Sequence, residues 1–443
     1  MAGLRGRLRR LHFLGIGGCG MSGLALVCHE LRAEVSGSDR VDGPFIERLR
    51  QRGIQVSFGD SPDDVPEGTE IVYSSAVKEK SPERRRAHDL GMSQINRGEL
   101  LSELAHHRPT IVVAGTHGKT TTSAMIAHCL MQSDPSVGYI IGGDLLSTDL
   151  NARWGDDNSW LVIESDESDK SVLGLSADIG VLTSVDHDHV VTFPTLRDVQ
   201  NLFSEFLAHS QTVVVSDTAS SGLPVSPAES FTEAPARPSA VGSTFTWRHE
   251  PVFVPQLGLH NALNAQTALE ACLAAGVSAA KAAAAMSTYP GVARRLEPVG
   301  RHMSGARVYL DYAHHPTEVA AALAAVGVLD SSRVAAVYEP WGFRRTRALT
   351  PQSGRALSVA DRVYVLPHAG SVDDETFPGE GTRLIADAVA TASHGVVETP
   401  EDYSAAQRRL DSDLKPDDVC PVMGCGPVFR LAESLVTSYR SGN

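Results

Sequence analysis

No stretch of this chain is apolar over the roughly 20 residues that a bilayer-crossing helix needs, so no helical membrane anchor is expected. Nor do any two cysteines follow the C-x-x-C spacing. Cys19, Cys28, Cys129, Cys272, Cys420 and Cys425 are scattered, which argues against a zinc knuckle or disulfide framework and predicts mostly buried, reduced thiols. Positive charge is in short supply: 39 Lys+Arg against 53 Asp+Glu leave a net charge of −14. A broad phosphate-binding surface needs a basic face, so nucleic acid is not the expected partner. Lysine is scarce, with Lys78, Lys80, Lys119, Lys170, Lys281 and Lys415 the full set. The start, Met1 to Arg10, is basic like the head of an export signal. Gly15, Gly17, Gly18 and Gly20 break the apolar stretch that would have to follow, so no such signal is read and a cytoplasmic location is expected. At 443 residues the chain exceeds one ordinary core, and about three domains are expected.

What is present is one pattern, three times over: a short β-branched or apolar run, a turn of glycine or small polar residues, then a helical stretch. Leu11–Leu14 leads into Gly15-Ile16-Gly17-Gly18, Thr110–Ala114 into Gly115-Thr116-His117-Gly118, and Val308–Asp311 into Tyr312-Ala313-His314-His315-Pro316. Alternation of this kind predicts an α/β protein with largely parallel sheets, whose ligands sit at the carboxyl ends of the strands. His106–Pro109 and Tyr289–Ala293 read as linkers, and Asp217 to Ser243, rich in Ser, Pro and Ala, reads as loop.

The first turn, Gly15-Ile16-Gly17-Gly18-Cys19-Gly20, fits G-x-G-x-x-G, with Asp39 near where a dinucleotide fold places its ribose-binding acid. Such a loop lets the backbone approach a pyrophosphate at a helix start. On this loop alone NAD stands about level with the alternatives, another phosphorylated ligand or a purely structural turn. The second, Gly115-x-x-Gly118-Lys119-Thr120, is more specific: backbone N–H groups can wrap phosphate oxygens, Lys119 can place charge on the β/γ-phosphates, and Thr120 can hold Mg2+. It departs from the usual spacing in having Val113 where the first glycine belongs. These features predict an enzyme that uses ATP.

Two acidic groups follow. Glu164-Ser165-Asp166-Glu167-Ser168-Asp169 ends an apolar run, and Glu164 is placed to ligate Mg2+, whereas Glu167 and Asp169 read as members of a solvated loop. Asp186-His187-Asp188-His189 ends the run Val181–Val185, and this clustering makes His189 a candidate ligand, with room in the reading for a second divalent ion. A zinc-hydrolase reading lacks a third ligand nearby. Later, Pro340 to Arg347 is an arginine-rich turn suited to carboxylates or phosphates.

In order and together, these segments resemble the Mur ligases, the ATP-dependent amide-bond-forming enzymes of peptidoglycan assembly. The resemblance rests on His12–Gly23, Ser36-Gly37-Ser38-Asp39, Arg97–Leu101, Gly115–Thr122, Glu164–Asp169, His260–Ala265, Arg294-Arg295 and Asp311–Glu318, and so covers nearly the whole chain. It implies three α/β domains: an N-terminal Rossmann-like domain over 1–107, a central P-loop ATPase-type parallel sheet over 108–292, and a C-terminal Rossmann-like domain over 293–443 that closes over the site. It implies ATP and Mg2+, a UDP-sugar carboxylate and an amino acid as substrates, L-alanine being the expected one, and a monomer or homodimer. The first loop then holds uridine diphosphate and not NAD, with Gly17, Gly18, Gly20, Met21, Ser22, Ser38, Asp39 and Ser75 around the UDP-substrate. ATP falls to Gly115, Thr116, His117, Gly118, Lys119, Thr120, Thr121, His260, Asn261, Arg295 and Asp311. Lys119, Glu164 and His189 are the implied catalytic set, with Thr120, Glu164 and His189 on the metal, and His315, Trp341, Arg344 and Arg345 near the amino acid.

Three departures stand against the family pattern. Trp341 and Gly342 occupy the positions of a usual histidine and arginine, Val191 that of an aspartate, and the stretch from Asp217 to Leu259 is short. With the pocket altered, a homologue of the same fold serving a specialised pathway, with a different amino acid or carboxylate, stays open beside the alanine reading.

Overall fold

The computed structural model describes residues 10–224, 230–370, 379–393 and 395–440. Most of the basic start, Met1 to Arg9, lies outside them, and so does part of the predicted Asp217–Ser243 loop. The chain divides into two compact units: Met1–His187 with Thr195–Glu233 and Asn264–Pro290, and Asp188–Pro194 with Ala234–Leu263 and Gly291–Asn443. His106–Pro109 lies inside the first unit, whereas Tyr289–Ala293 straddles a boundary between the two.

The first unit holds two sheets. One is built from β1 (Arg10–Leu14), β2 (Glu34–Asp39), β3 (Gln55–Phe58), β4 (Glu70–Tyr73) and β5 (Gln94–Asn96), in the order β3-β2-β1-β4-β5 with every pairing parallel. The strand order reverses at β1, and the Gly15–Gly20 turn leaves its carboxyl end at that switch point, where such sheets bind ligands. The other contains β6 (Thr110–Ala114), β7 (Gly138–Leu145), β8 (Leu150–Arg153), β9 (Leu161–Glu164), β10 (Ile179–Leu182) and β11 (Thr212–Val215), ordered β11-β10-β6-β9-β7-β8. Only its β7–β8 pairing is antiparallel. All five residues of β6 are buried, which explains why Thr110-Ile111-Val112-Val113-Ala114 is apolar almost throughout and does not alternate.

One helix ties these two sheets together. Cys19–Glu30 is buried from Met21 through Cys28, with no polar face of its own. Gly23 packs on β8, where an added Cβ would lie 3.2 Å from that of Ala152. Asn151 Nδ2 donates to Cys19 O at 2.8 Å, Trp154 N–H to Glu30 Oε2 at 2.6 Å, and Arg48 pairs with Asp144 through both nitrogens of its fork.

The second unit holds an antiparallel sheet of β12 (Arg237–Ser239), β13 (Gly242–Trp247) and β14 (Glu250–Val254). Its larger sheet comprises β15 (Glu297–Arg301), β16 (Arg307–Asp311), β17 (Ala335–Tyr338), β18 (Arg362–Val365), β19 (Val396–Glu398) and β20 (Val419–Met423), ordered β15-β16-β20-β17-β18-β19. β15 is antiparallel to β16 and the other pairings are parallel. Two buried clusters, one on each side of this sheet's strands, form its core.

The three strand-turn-helix units fall where the sequence pattern puts them. The Asp217–Ser243 expectation fails in part: Asp217–Ser221 is a helix whose Ser216 cap accepts from Ala219 N–H, and Arg237–Ser239 is a strand. Ser and Pro there mark a cap and an edge strand, positions those residues also favour. All six cysteines are free, and Cys28, Cys129, Cys272 and Cys420 are buried.

Candidate functional site

In the first unit the nucleotide-type loop runs from β6 into the helix Lys119–Met131. Gly115 (φ 134°) and Gly118 (φ 82°) both take left-handed backbone, and a Cβ would strike Thr183 Oγ1 at the first and Asn264 Oδ1 at the second. Glycine is therefore required by conformation and by space. The loop is anchored to the end of β10: Thr116 N–H donates to Ser184 O at 3.1 Å, His117 N–H to Ser184 Oγ at 2.8 Å, and His117 Nε2 lies 2.9 Å from Asp186 Oδ2. Thr121 is buried in the helix's first turn.

Lys119 curls back over this loop. Its Nζ donates to Gly115 O at 2.7 Å, Thr116 O at 3.1 Å and Glu167 Oε2 at 2.8 Å. Burial opposes the ammonium's charge, but the Glu167 and Asp166 carboxylates outweigh it and hold the group above the usual lysine range. Thr120 Oγ1 donates to Glu164 Oε1 at 2.8 Å, and Gly142 N–H donates to Glu164 Oε2 at 2.5 Å. Glu164 thus stands at the strand end beside Thr120, as the sequence predicts.

Glu167 and Asp169 do not belong to a solvated loop. Glu167 is 2% exposed and meets Lys119, and Asp169 accepts from Arg97 Nη2 at 2.9 Å. Each acid is drawn inward by a basic side chain distant in sequence, which composition cannot reveal.

The first glycine loop is fixed by β2. Ser38 O accepts from Gly15 N–H (2.9 Å) and Ile16 N–H (3.1 Å), and Asp39 Oδ2 from Gly17 N–H (2.8 Å). Ser38 is buried, its hydroxyl on the equally buried Glu83, whose carboxyl is pushed up to about 7 by burial. Gly18 precedes the helix as its cap, and Arg97 lies against Gly20. Met21 is buried, and Ser22 donates its N–H to Gly18 O and its hydroxyl to Cys19 O. Ser75 is exposed in the turn after β4.

In the second unit His189 takes left-handed backbone (φ 51°) next to the buried Asp188, which pairs with Arg345 Nη2 at 2.9 Å. Burial would raise Asp188, but Arg345, His189 and His314 overcome it and hold the carboxyl at about 2. The Asp186–His189 cluster is thus divided: Asp186 serves His117, and Asp188 serves Arg345. Asp311 closes β16 by accepting from Leu296 and Ala313 N–H groups at 2.7 and 2.6 Å, and burial pushes it up to about 6 against the pull of Arg295. Arg295 lies over the Tyr312 ring, 5.0 Å from its centroid. His315 caps the helix Pro316–Val326, its Nδ1 accepting from Thr317 N–H and its own N–H donating to Glu318.

His260 opens the helix Leu259–Ala274 and is lowered to about 4 by burial, while Asn261 Nδ2 donates to Leu257 O at 2.9 Å. Trp341 bridges to Ala369, Gly342 (φ 69°) caps the helix Phe343–Leu357, and Arg344 is exposed. The Arg345 guanidinium is held in place there through Asp188. Glu167, Arg97, Asp169 and Asp188 lie in segments that the sequence singles out, but the pairings they make carry no local sequence signal.

Family profiles match along the chain: "Mur ligase family, catalytic domain" over residues 10–109, "Mur ligase middle domain" over 113–272 and "Mur ligase, glutamate ligase domain" over 294–426. A UDP-N-acetylmuramate–L-alanine ligase of Thermobifida fusca is 34% identical, spanning 97% of this chain and 96% of its own length. The protein of that name from Agrobacterium fabrum is 29% identical over 97% of both chains. Among solved structures, the UDP-N-acetylmuramate–alanine ligase of Thermotoga maritima superposes with a TM-score of 0.83 at 23% identity, covering 98% of this chain and 100% of that one. A murein peptide ligase of Psychrobacter arcticus gives 0.73 at 23% identity, covering 97% and 98%. At that identity the two structures establish a shared fold.

Proposed function

The chain belongs to the Mur ligase family, and on that premise we propose that it joins L-alanine to the carboxylate of UDP-N-acetylmuramate, with ATP cleaved to ADP and phosphate. The observation that carries this reading is the Gly115–Thr120 cradle with its acidic complement: Lys119 on Glu167 and Thr120 on Glu164, in one unit with the first glycine loop. Substrates of this kind are met in the cytoplasm, and no described helix is long and apolar enough to cross a membrane.

The chemistry starts with a difficulty of charge. A substrate carboxylate oxygen must attack the γ-phosphorus, forming an acyl phosphate as the bond to ADP breaks, so two anions have to meet. Lys119 answers this with an ammonium kept charged by its acidic neighbours, and the loop's N–H groups can cradle phosphate oxygens. The donors fit Mg2+, since the Thr120 hydroxyl and Glu164 carboxylate are hard oxygens already adjacent; a bound ion would offset the charge of the phosphate oxygens. The amine nitrogen of alanine then attacks the acyl carbon, and phosphate leaves through a tetrahedral intermediate. In the second unit we assign Arg295 and Asp311 to the nucleotide, and Arg345, oriented by Asp188, to the amino acid's carboxylate.

The test is phosphate release with ATP, Mg2+ and UDP-N-acetylmuramate, each amino acid being added in turn. Release that depends on L-alanine supports the reading. Silence with the UDP-sugar across all amino acids overturns it, and release with another amino acid alone transfers the role to that substrate.

A further inference from the structure

One short segment of the first unit, Glu164–Ser171, touches both glycine loops. At one end Glu164 and Glu167 hold Thr120 and Lys119 of the nucleotide loop. Two residues beyond Glu167, Asp169 accepts from Arg97 Nη2 at 2.9 Å, and Ser171 Oγ lies 3.4 Å from the same nitrogen. The Arg97 guanidinium rests against the first glycine loop, where a Cβ on Gly20 would sit 2.8 Å from Nη1. Both members of the pair are largely buried, with side chains 13% and 10% exposed.

The segment is also stiff. Lys170 takes left-handed backbone (φ 60°) and its N–H bonds to Glu167 O at 2.9 Å, while Ser171 N–H bonds to Asp169 Oδ1 at 3.0 Å. Glu167 and Asp169 therefore belong to one hydrogen-bonded turn.

We propose that Asp169 is a positioning residue that, through Arg97, couples the two loops, so that a nucleoside triphosphate at Gly115–Thr120 and a UDP-linked ligand at Gly15–Gly20 change each other's affinity. The inference rests on the loop assignments made above. A triphosphate competes with Glu167 for the Lys119 ammonium. At 2% exposure that carboxylate does not regain from water what it loses when the ammonium is drawn away, so its present position is disfavoured. The turn carries that readjustment to Asp169, and the ion pair carries it to the guanidinium beside Gly20. Any such coupling is reciprocal.

The experiment is calorimetric titration of UDP-N-acetylmuramate into the full chain, with and without saturating Mg2+ and a β,γ-imido ATP analogue. The ratio of the two affinities is read, so a uniform loss of binding in a variant cancels. In the wild type the analogue is expected to change the affinity by about 5-fold or more. In Asp169→Asn, and in Arg97→Lys as a second variant, the ratio should fall to within about 2-fold of unity, on the order of experimental scatter. A wild-type ratio of one, or an undiminished ratio in both variants, overturns the proposal. Absence of any UDP-N-acetylmuramate binding by the wild type would overturn the substrate reading and this inference together, whereas binding with unaltered coupling defeats the inference alone.

Discussion

Replacing Lys119 with Met removes a buried charge, yet it is expected to destabilise the first unit. The ammonium lies 2.8 Å from Glu167, with the side chains 14% and 2% exposed, and Asp166 and Glu164 also act on it. Taking it away leaves several carboxylates around an apolar stem. Breaking a buried pair in this one-sided way costs about 3–5 kcal/mol, and the slight exposure of Lys119 favours the lower figure, about 3 kcal/mol. Removing both charges, in K119M/E167M, should recover most of that loss, because two apolar side chains replace a pair that had to be desolvated. The assay is hydrogen exchange of the fully buried β6, read by mass spectrometry. At about 1.4 kcal/mol per tenfold, the single variant should exchange on the order of 100-fold faster than wild type, and the double variant within about 10-fold of it. A single variant that exchanges like wild type, or a double variant as fast as the sum of the two singles, would refute the argument that Glu167 depends on Lys119.

Gly118→Ala should cost about 2 kcal/mol, since it adds strain at φ 82° to a collision with Asn264; Asn264→Ser in the same chain should return part of it in urea denaturation. Asp311 sits near 6, above the ordinary aspartate range, so the stability it contributes is full below about pH 4 and is lost as pH rises through about 6. Asp311→Asn should flatten that part of the pH–stability curve, and an unchanged slope would show that the burial argument fails. Arg345→Met should raise the Asp188 midpoint from about 2, observable by carboxyl NMR, and reduce kcat/KM for ligation by about 100-fold. An unmoved midpoint would mean that Arg345 is not what holds Asp188 down.

Much of the fold is legible because the pattern of β6 is local. Five consecutive buried residues followed by Gly115 and Gly118 announce a strand, a turn and a helix without reference to anything distant. The same holds for Glu164, whose position at a strand end follows from the run before it. Glu167 and Asp169 escape such reading because acids in a turn look solvated until their partners are known. Those partners, Lys119 and Arg97, lie 48 and 72 residues earlier. The division of Asp186 and Asp188 between His117 and Arg345 is equally hidden, because two residues on opposite sides of His187 belong to different compact units. Asp217–Ser221 escapes for another reason: a five-residue helix has too few positions to show a period.

The helix Cys19–Glu30, buried from Met21 through Cys28, bears on how this chain can be divided and inherited. Its outer face is covered by β7 and β8, with Asn151 and Trp154 reaching it from the second sheet. A fragment ending at Ala105 would expose that apolar surface to water and lack Asp144, the partner of Arg48, so it is expected to be less stable than the whole unit. Exchange of segments between relatives is expected to succeed where the crossover keeps both sides of this seam together, and a cut after Pro290 does so where one near Pro109 does not.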